Sequence, residues 1–394
     1  MNILFFTREE VSPHKGGTER ITHTLSNGLK KYYGHKCFSA FLKADISSTF
    51  LTDFDGKLEV NRYSVGHSIR KYAEKNNINR IIIQGEFGFV MDIKKSIKGI
   101  DGCKLIFVHH FEPGFEKKFF RLKDILECIR KRQGIAKFPH IVQLFLFPFL
   151  RFRFLQRLPK LYCTAYQFSD QVVLLSQKYQ EEFMKLGCIS DAKKISYIPN
   201  ALSYSQFMNK EDIVSKERIV LIVSRLDERQ KRISLAIKIW KIVKKYSESK
   251  DWKLHIVGDG EYRKIYQNIV KDQKIKDVYF LGQMEPSNEY KKASLFMMTS
   301  VSEGWGLTLT EAQQFGCIPI AFDTYLSLHD IIENGINGFI IPEMDIQAYV
   351  HTILDLITNA EKRILLAYKC VDTSREFAVD KIVNRWDALL TKLK

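Results

Sequence analysis

The sequence predicts an α/β fold made of two parallel sheets, each covered by helices. Three observations carry this. Short apolar runs of strand length alternate along the chain with longer amphipathic stretches, which is the pattern of parallel strands joined by crossover helices. These runs fall into two sets on either side of a polar stretch, 200–217, that lacks a long apolar segment. The 394 residues exceed what one ordinary core organises and suit two domains of about 200 residues each.

In the first half, strand candidates are Ile3–Phe6, Ile81–Ile83, Leu105–Val108 and Val172–Leu175. The opening Met1-Asn2-Ile3-Leu4-Phe5-Phe6 has neither a basic leader nor a cleavage site, so it reads as a buried strand and not a signal peptide, and the cytoplasm is the expected location. Gly16-Gly17 follows it, ahead of a helix whose apolar residues Ile21, Leu25 and Leu29 recur every four positions. The second half begins after Ile198-Pro199-Asn200-Ala201, with strands expected at Ile219–Val223, Leu254–Val257, Val278–Leu281, Leu295–Met298 and Ile318–Phe322. No internal repeat or low-complexity segment interrupts the pattern.

Composition narrows the function classes. Hydrophobic content of 45% is that of a globular protein. Seven cysteines without a CxxC pair read as buried thiols in a reducing compartment, and no metal site is evident. The net charge of +16 is unevenly placed: residues 116–160 hold 12 basic and 3 acidic residues. That stretch also contains Ile141 to Leu150, followed by Arg151, Phe152, Arg153 and Phe154. Ten such residues are too few to span a bilayer, which takes about 20. Two readings stand side by side for 138–154, a contact with anionic lipid and a buried helix with solvated basic neighbours. Nucleic-acid binding is weaker, because the aromatics form a block and do not alternate with cations.

The chemistry concentrates at Glu303-Gly304-Trp305-Gly306-Leu307-Thr308-Leu309-Thr310-Glu311. Strand-like residues precede this run, and Leu309, Ala312 and Phe315 follow at helical spacing, so the glycines occupy a strand-to-helix turn. The first amides of such a helix lack partners within it and, with the helix dipole, attract an anion. Carboxylates accept hydrogen bonds only, so a ligand joining this turn to Glu303 and Glu311 must carry hydroxyls as well as phosphate, as a nucleotide sugar does. Arg225 and Lys231 lie just beyond a strand, where two fixed cations can neutralise a pyrophosphate without a metal. Arg232 is a neighbour able to take the place of Lys231. His109 and His110 also stand at a strand end. Gly258-Asp259-Gly260 is not a dinucleotide fingerprint, because Arg263 stands where the next glycine would fall.

The segment from Glu303 to Glu311, with Gly316, Pro319, Asp330, Asn334-Gly335 and Asn337-Gly338-Phe339 after it, resembles the paired-glutamate region of retaining glycosyltransferases of the GT-B fold, most closely glycosyltransferase family 4. Gly16-Gly17-Thr18-Glu19-Arg20 resembles the family's amino-terminal glycine loop, and Ser224-Arg225-Leu226 with Lys231 its phosphate clamp. The resemblance is clear over 195–345 and faint over 40–165. It implies two Rossmann-like domains whose sheets face each other across a cleft: an acceptor domain, 1–203, and a nucleotide-sugar domain, 204–374, with 375–394 returning to the first. It implies transfer with retention from a nucleotide diphosphate sugar, a UDP-sugar first, to a saccharide or lipid-linked saccharide in surface polysaccharide or lipopolysaccharide assembly. No cofactor or metal is required on that picture.

The residue roles it implies are these. Glu303 and either His109 or His110 contact the transferred sugar, with His109 the better match by spacing. Arg225 and Lys231 hold the diphosphate, with Gly16 and Gly17 near it. Amides of Gly306, Leu307 and Thr308, beside Gly304, hold the distal phosphate; Glu311 accepts the ribose diol; Met284 lies at the base. An inner-membrane peripheral location follows if 116–160 contacts anionic lipid. The alternatives are a nucleotide-sugar epimerase of the same architecture, a nucleic-acid-binding protein, and a metal-dependent transferase using Asp53-Phe54-Asp55, a triplet that reads more simply as an exposed turn before Gly56.

Overall fold

A computed structural model describes residues 1–12, 16–44, 53–119, 122, 125–126, 129, 134 and 138–393. Most of the basic run 120–137 therefore lies outside the described residues. The chain divides into two compact units, Met1–Pro199 with Val383–Lys394, and Asn200–Ile382. The boundaries read from the sequence are 203/204 and 375.

The first unit is a seven-stranded parallel sheet in the order β3-β2-β1-β4-β5-β6-β7. Its strands are β1 (Asn2–Glu9), β2 (Lys36–Lys43), β3 (Gly56–Glu59), β4 (Arg80–Gln84), β5 (Lys104–His109), β6 (Gln171–Leu174) and β7 (Ile195–Tyr197). Helices cover both faces of such a sheet, so its inner strands are apolar without alternation. Ile3–Phe6, Ile81–Ile83 and Leu105–Phe107 are wholly buried, with Phe5 opposite Ile82 on one side and Ser39 on the other. The helix Gly17–Tyr33 buries Ile21, Leu25 and Leu29, the residues that predicted it, and ends at Gly34 in the left-handed conformation (φ 65°). Asp53 and Asp55 flank the turn into β3. Both pair with Lys30 (3.2 and 3.3 Å), and Asp55 also accepts from the Cys37 amide at 2.8 Å.

The second unit is a six-stranded parallel sheet, β10-β9-β8-β11-β12-β13, built from β8 (Glu217–Val223), β9 (Lys253–Val257), β10 (Val278–Gly282), β11 (Ala293–Met298), β12 (Ile318–Phe322) and β13 (Phe339–Ile341). Its core joins Val220, Leu254, Leu295 and Ile320 to the helix Ile233–Val243, whose Trp240 is fully buried. The Trp240 indole N–H is satisfied by the Lys276 carbonyl at 3.1 Å. Both sheets reverse strand order once, between β1 and β4 and between β8 and β11. At such a reversal the loops diverge and leave a crevice beyond the carboxyl ends of the strands.

The last helix spans Val379–Lys392. Its residues from Val383 onward belong to the first unit, where Val383, Trp386 and Leu390 are buried. Polar contacts hold the same stretch. Arg80, itself buried, donates to the carbonyls of Leu390 (2.9 Å) and Leu393 (2.5 Å), Tyr33 donates to Asn384, and His35 contacts Asp387 at 2.6 Å. Carbonyls at a helix end have no partner within the helix, so a guanidinium placed there satisfies groups that burial would otherwise strand.

Helices Phe138–Phe145 and Phe147–Phe168 meet at a 70° bend. Among the described residues no single helix is long and apolar enough to cross a membrane, although these two reach that hydropathy when taken together. The first buries none of its side chains, and the second buries only Phe147, Leu158, Tyr162 and Ala165.

Candidate functional site

In the second unit the loops after β8 and β11 lie side by side because those strands are neighbours. Asp227 caps the short helix Glu228–Lys231 by accepting from the Arg229 amide at 2.9 Å. Arg232 then takes a left-handed conformation (φ 50°), which ends that turn and starts the buried helix Ile233–Val243. This geometry sends adjacent side chains to different destinations. Lys231 reaches across to Glu303, Nζ to Oε1 at 2.5 Å, with 17% and 12% of the two side chains exposed. Arg232 instead donates to the carbonyls of Thr299 (2.8 Å) and Ser300 (3.2 Å) and lies over the Phe322 ring. Lys231 and Arg232 thus have separate positions, the second locked onto backbone.

Arg225 is 66% exposed; its guanidinium donates to Gln230 at 3.2 Å and lies 3.9 Å from Asp227. Gln230 is a site residue that the sequence did not announce. Its amide donates to the Ser302 carbonyl at 3.1 Å, and its own carbonyl accepts from the Val301 amide at 2.8 Å. It stitches the Arg225–Lys231 loop to the loop that carries Glu303. An uncharged residue inside the run Arg229-Gln230-Lys231-Arg232 gave no local signal.

Beyond β11 the chain runs from Glu303 to Gly306, and the helix Leu307–Gln314 begins. Gly306 has φ 90°, and a Cβ there would stand 2.9 Å from the Tyr325 hydroxyl, so conformation and space both call for glycine. The Gly304 carbonyl accepts from Ser327 at 3.2 Å. Trp305 is buried, with its ring edge-on to Phe377 and its indole N–H without a partner among the described residues. Leu307 is buried and Thr308 is half-buried at the start of the helix. Glu311 is wholly buried. Its oxygens accept from Ser203 at 2.6 Å and from Tyr290 at 3.1 Å, two partners the sequence reading did not name. Glu311 is thus enclosed, because Leu309 to Gln314 are buried on every side of this short helix.

Two further loops complete the carboxyl end of this sheet. Gly258 and Gly260 lie against the loop after β8: a Cβ on Gly258 would fall 1.9 Å from the Ser224 carbonyl oxygen, and one on Gly260 2.5 Å from that of Leu226. Those glycines therefore permit close backbone approach, sealed by the Leu226 amide donating to Asp259 at 2.9 Å. Met284 is exposed in the loop after β10, beside Glu285, which accepts from the Tyr204 hydroxyl at 2.7 Å.

In the first unit, Gly16 caps the helix Gly17–Tyr33 with extended backbone, and the Glu19 carboxylate folds back towards it. His109 ends β5 inside an aromatic enclosure of Phe87, Phe107, Tyr162 and Phe183. Its Nε2 is 3.4 Å from the Tyr162 hydroxyl, while Nδ1 has no partner among the described residues. Tyr162 in turn contacts Glu116 (3.1 Å) and accepts from the Gly114 amide. Burial, with the neighbouring His110, pushes the His109 imidazole down to about 3. Burial alone pushes His110 down to about 4, and its Nε2 contacts the Gln84 side chain at 2.5 Å. Both rings are therefore neutral near pH 7.

Among the described residues, no cluster of three or more His, Cys, Asp or Glu is arranged to hold a metal ion. The second-unit site instead offers one carboxylate in contact with one ammonium, an exposed guanidinium and a glycine-started helix. Chemically, that set suits an anion joined to a polyhydroxyl group.

Residues 203–369 match the family model of the glycosyl transferases group 1. An uncharacterized glycosyltransferase of Haemophilus influenzae is 29% identical over 56% of this chain and 61% of its own length. The Campylobacter jejuni GalNAc-alpha-(1->4)-GalNAc-alpha-(1->3)-diNAcBac-PP-undecaprenol alpha-1,4-N-acetyl-D-galactosaminyltransferase is 25% identical over 79% of this chain and 88% of that protein. The chain thus spans less than two thirds of the Haemophilus relative. Among solved structures, Anabaena HepE in complex with UDP-glucose superposes with a TM-score of 0.73 at 18% identity, covering all of both chains. The second unit thus carries a region that matches the glycosyl transferases group 1, and the chain has the GT-B fold.

Proposed function

We propose that this protein transfers a sugar from a nucleotide diphosphate sugar, a UDP-sugar first, to a saccharide or lipid-linked saccharide acceptor, with retention of configuration and without a metal. The observation that carries this is the Lys231–Glu303 contact between the loops after β8 and β11, beside the glycine-started helix Leu307–Gln314. In this reading Lys231 and Arg225 take the diphosphate, assisted by the amides of Gly306, Leu307 and Thr308. Gly304 leaves room for the backbone to approach, and Met284 lies at the base. Glu303 accepts hydrogen bonds from the sugar hydroxyls. The ribose diol replaces the Ser203 hydroxyl on Glu311. In the first unit Gly16 and Gly17 serve the diphosphate, and neutral His109 the sugar, with His110 as the other candidate.

The glycosidic carbon–oxygen bond to the diphosphate breaks, the acceptor oxygen bonds the same carbon from the same face, and its proton passes to the departing phosphate oxygen. Charge developing on that oxygen is what the cations and helix amides stabilise, and neither glutamate forms a covalent bond. The relatives support the class of reaction. The Campylobacter jejuni relative is an N-acetylgalactosaminyltransferase of an undecaprenol-linked saccharide, and Anabaena HepE was solved with UDP-glucose. Assembly of a surface polysaccharide is the setting we infer.

Purified protein incubated with UDP-glucose, UDP-N-acetylglucosamine, UDP-galactose and GDP-mannose, in the presence of chelator, tests the proposal. We expect nucleotide diphosphate to be released from at least one UDP-sugar, and an α-linked product by NMR when an acceptor is supplied. Activity abolished by chelator and restored by a divalent ion would overturn the metal-free clamp. Release of an isomerised nucleotide sugar without an acceptor would overturn the transfer reading.

A further inference from the structure

We propose that the bent helix pair Phe138–Phe145 and Phe147–Phe168 is a monotopic docking surface for an anionic lipid leaflet. It goes beyond the transfer reaction and stands on the first unit alone. The pair exposes a large apolar set: Phe145 is 79% exposed, Phe138 66%, Phe152 59% and Phe149 56%. Isolated exposed apolar residues are ordinary, but a contiguous set of large aromatics is not.

What covers this face follows from its charge. Residues 138–168 contain Arg151, Arg153, Arg157 and Lys160 and no acidic residue. All four cations are exposed, interleaved with Phe149, Phe152 and Leu155. Arg153 lies over the exposed Phe149 ring at 5.6 Å, which keeps that guanidinium at the level of the ring it accompanies, and Arg151 lies 5.9 Å from the buried Phe147 ring, with its head group exposed. Rings at the acyl boundary with cations at the phosphates is the arrangement that binds a helix along an anionic interface. A second copy of the chain fits poorly, because a two-fold contact places a patch against itself and would oppose these four cations to their own counterparts. A span fits poorly as well. The first helix has 8 residues, about 12 Å of rise, against a core of about 30 Å, and the cations begin within the first turn or so of the second.

Co-sedimentation with phosphatidylcholine vesicles, with and without phosphatidylglycerol, tests this on the whole chain. Binding should require the anionic lipid and fall as salt rises. The pair Arg151→Gln with Arg153→Gln should weaken partitioning by roughly thirtyfold, about fivefold for each cation removed. The pair Phe145→Ser with Phe149→Ser should weaken it by at least about tenfold from lost apolar burial. Both variants alter exposed side chains, and circular dichroism checks that they fold. Equal binding to both vesicle types, or variants that bind like the parent, would overturn the inference. So would a dimer in light scattering that the Phe variant dissolves, or membrane association that resists alkaline extraction as a span does. UDP-sugar turnover in lipid-free buffer is scored separately, so failure on vesicles leaves the donor reading intact, and the reverse.

Discussion

Replacing Lys231 with Met removes the ammonium that Glu303 contacts across the two loops. The pair is 2.5 Å apart, with 17% and 12% of the side chains exposed. At an effective dielectric of about 20, unit charges at that separation attract by about 6 to 7 kcal/mol. Desolvation of both groups offsets much of this, and truncating one member of so enclosed a pair costs about 3 kcal/mol. Urea unfolding followed by tryptophan fluorescence is a suitable assay. Of the 4 tryptophans, only Trp386 belongs to the first unit and Trp240, Trp252 and Trp305 report on the second. Lys231→Met and Glu303→Gln should each lower the second unit's stability, and the double variant by about 2 kcal/mol less than their sum. The same variants separate in ligand binding. Lys231→Met should weaken UDP about thirtyfold, the equivalent of one charge-assisted hydrogen bond of about 2 kcal/mol. Glu303→Gln should keep or improve UDP affinity while abolishing turnover, because the ammonium is then free to turn to phosphate. Additive destabilisation within about 0.5 kcal/mol, or equal loss of UDP affinity in both single variants, would refute this reasoning.

Three other outcomes follow from the structure. Arg80→Met strips the carbonyls of Leu390 and Leu393 of their donor; it should destabilise the first unit by about 3 kcal/mol and raise hydrogen exchange in 383–393, and unchanged protection there would contradict the anchoring role. Gly258→Ala would place a Cβ 1.9 Å from the Ser224 oxygen at φ +128°, so it should cost about 3 kcal/mol or more, or prevent folding. Gly88→Ala, with nothing within 4 Å, should cost less than about 1 kcal/mol, and parity between the two would dismiss the close-approach account. His110 is held at about 4, below its ordinary 6.5, so between those values the unfolded chain binds more protons than the folded one. Its contribution is whole above pH 6.5 and drains away as the medium acidifies towards 4, by roughly 3 kcal/mol in all. Because His109 is held lower still, at about 3, and contributes across the same window, His110→Gln should roughly halve the pH dependence of the urea midpoint there, and an unaltered slope would show that His110 is not a source of it.

The strands most legible in the sequence are those buried on both faces, Ile81–Ile83 and Leu105–Val108, where continuous apolar runs leave no other role. β2, β3, β7 and β13 were not foreseen. Lys36–Lys43 breaks its apolar run with Ser39 and charged ends, and Gly56–Glu59, Ile195–Tyr197 and Phe339–Ile341 are short strands at the sheet edges, where one side needs no partner. At the site, the glycines and charges announced themselves because each is locally unusual. Their pairing did not. Lys231 and Glu303 are brought together by the adjacency of β8 and β11, a property of strand order that residue spacing does not contain. Gln230, Ser203 and Tyr290 are uncharged, and each acts through a contact set only by the fold. The helix pair at 138–168 shows the opposite limit. Its composition was plain, but whether it lay inside or outside turned on packing, and the structure places most of it outside.

On the proposed reading, the carboxyl end of the second sheet grips a nucleoside diphosphate. Crystals of this protein grown with UDP test it most directly. The diphosphate is expected within about 3 Å of the Lys231 ammonium and the Leu307 and Thr308 amides, with the ribose hydroxyls on Glu311 in place of Ser203. UDP bound elsewhere, or that crevice empty at saturating UDP, would contradict it.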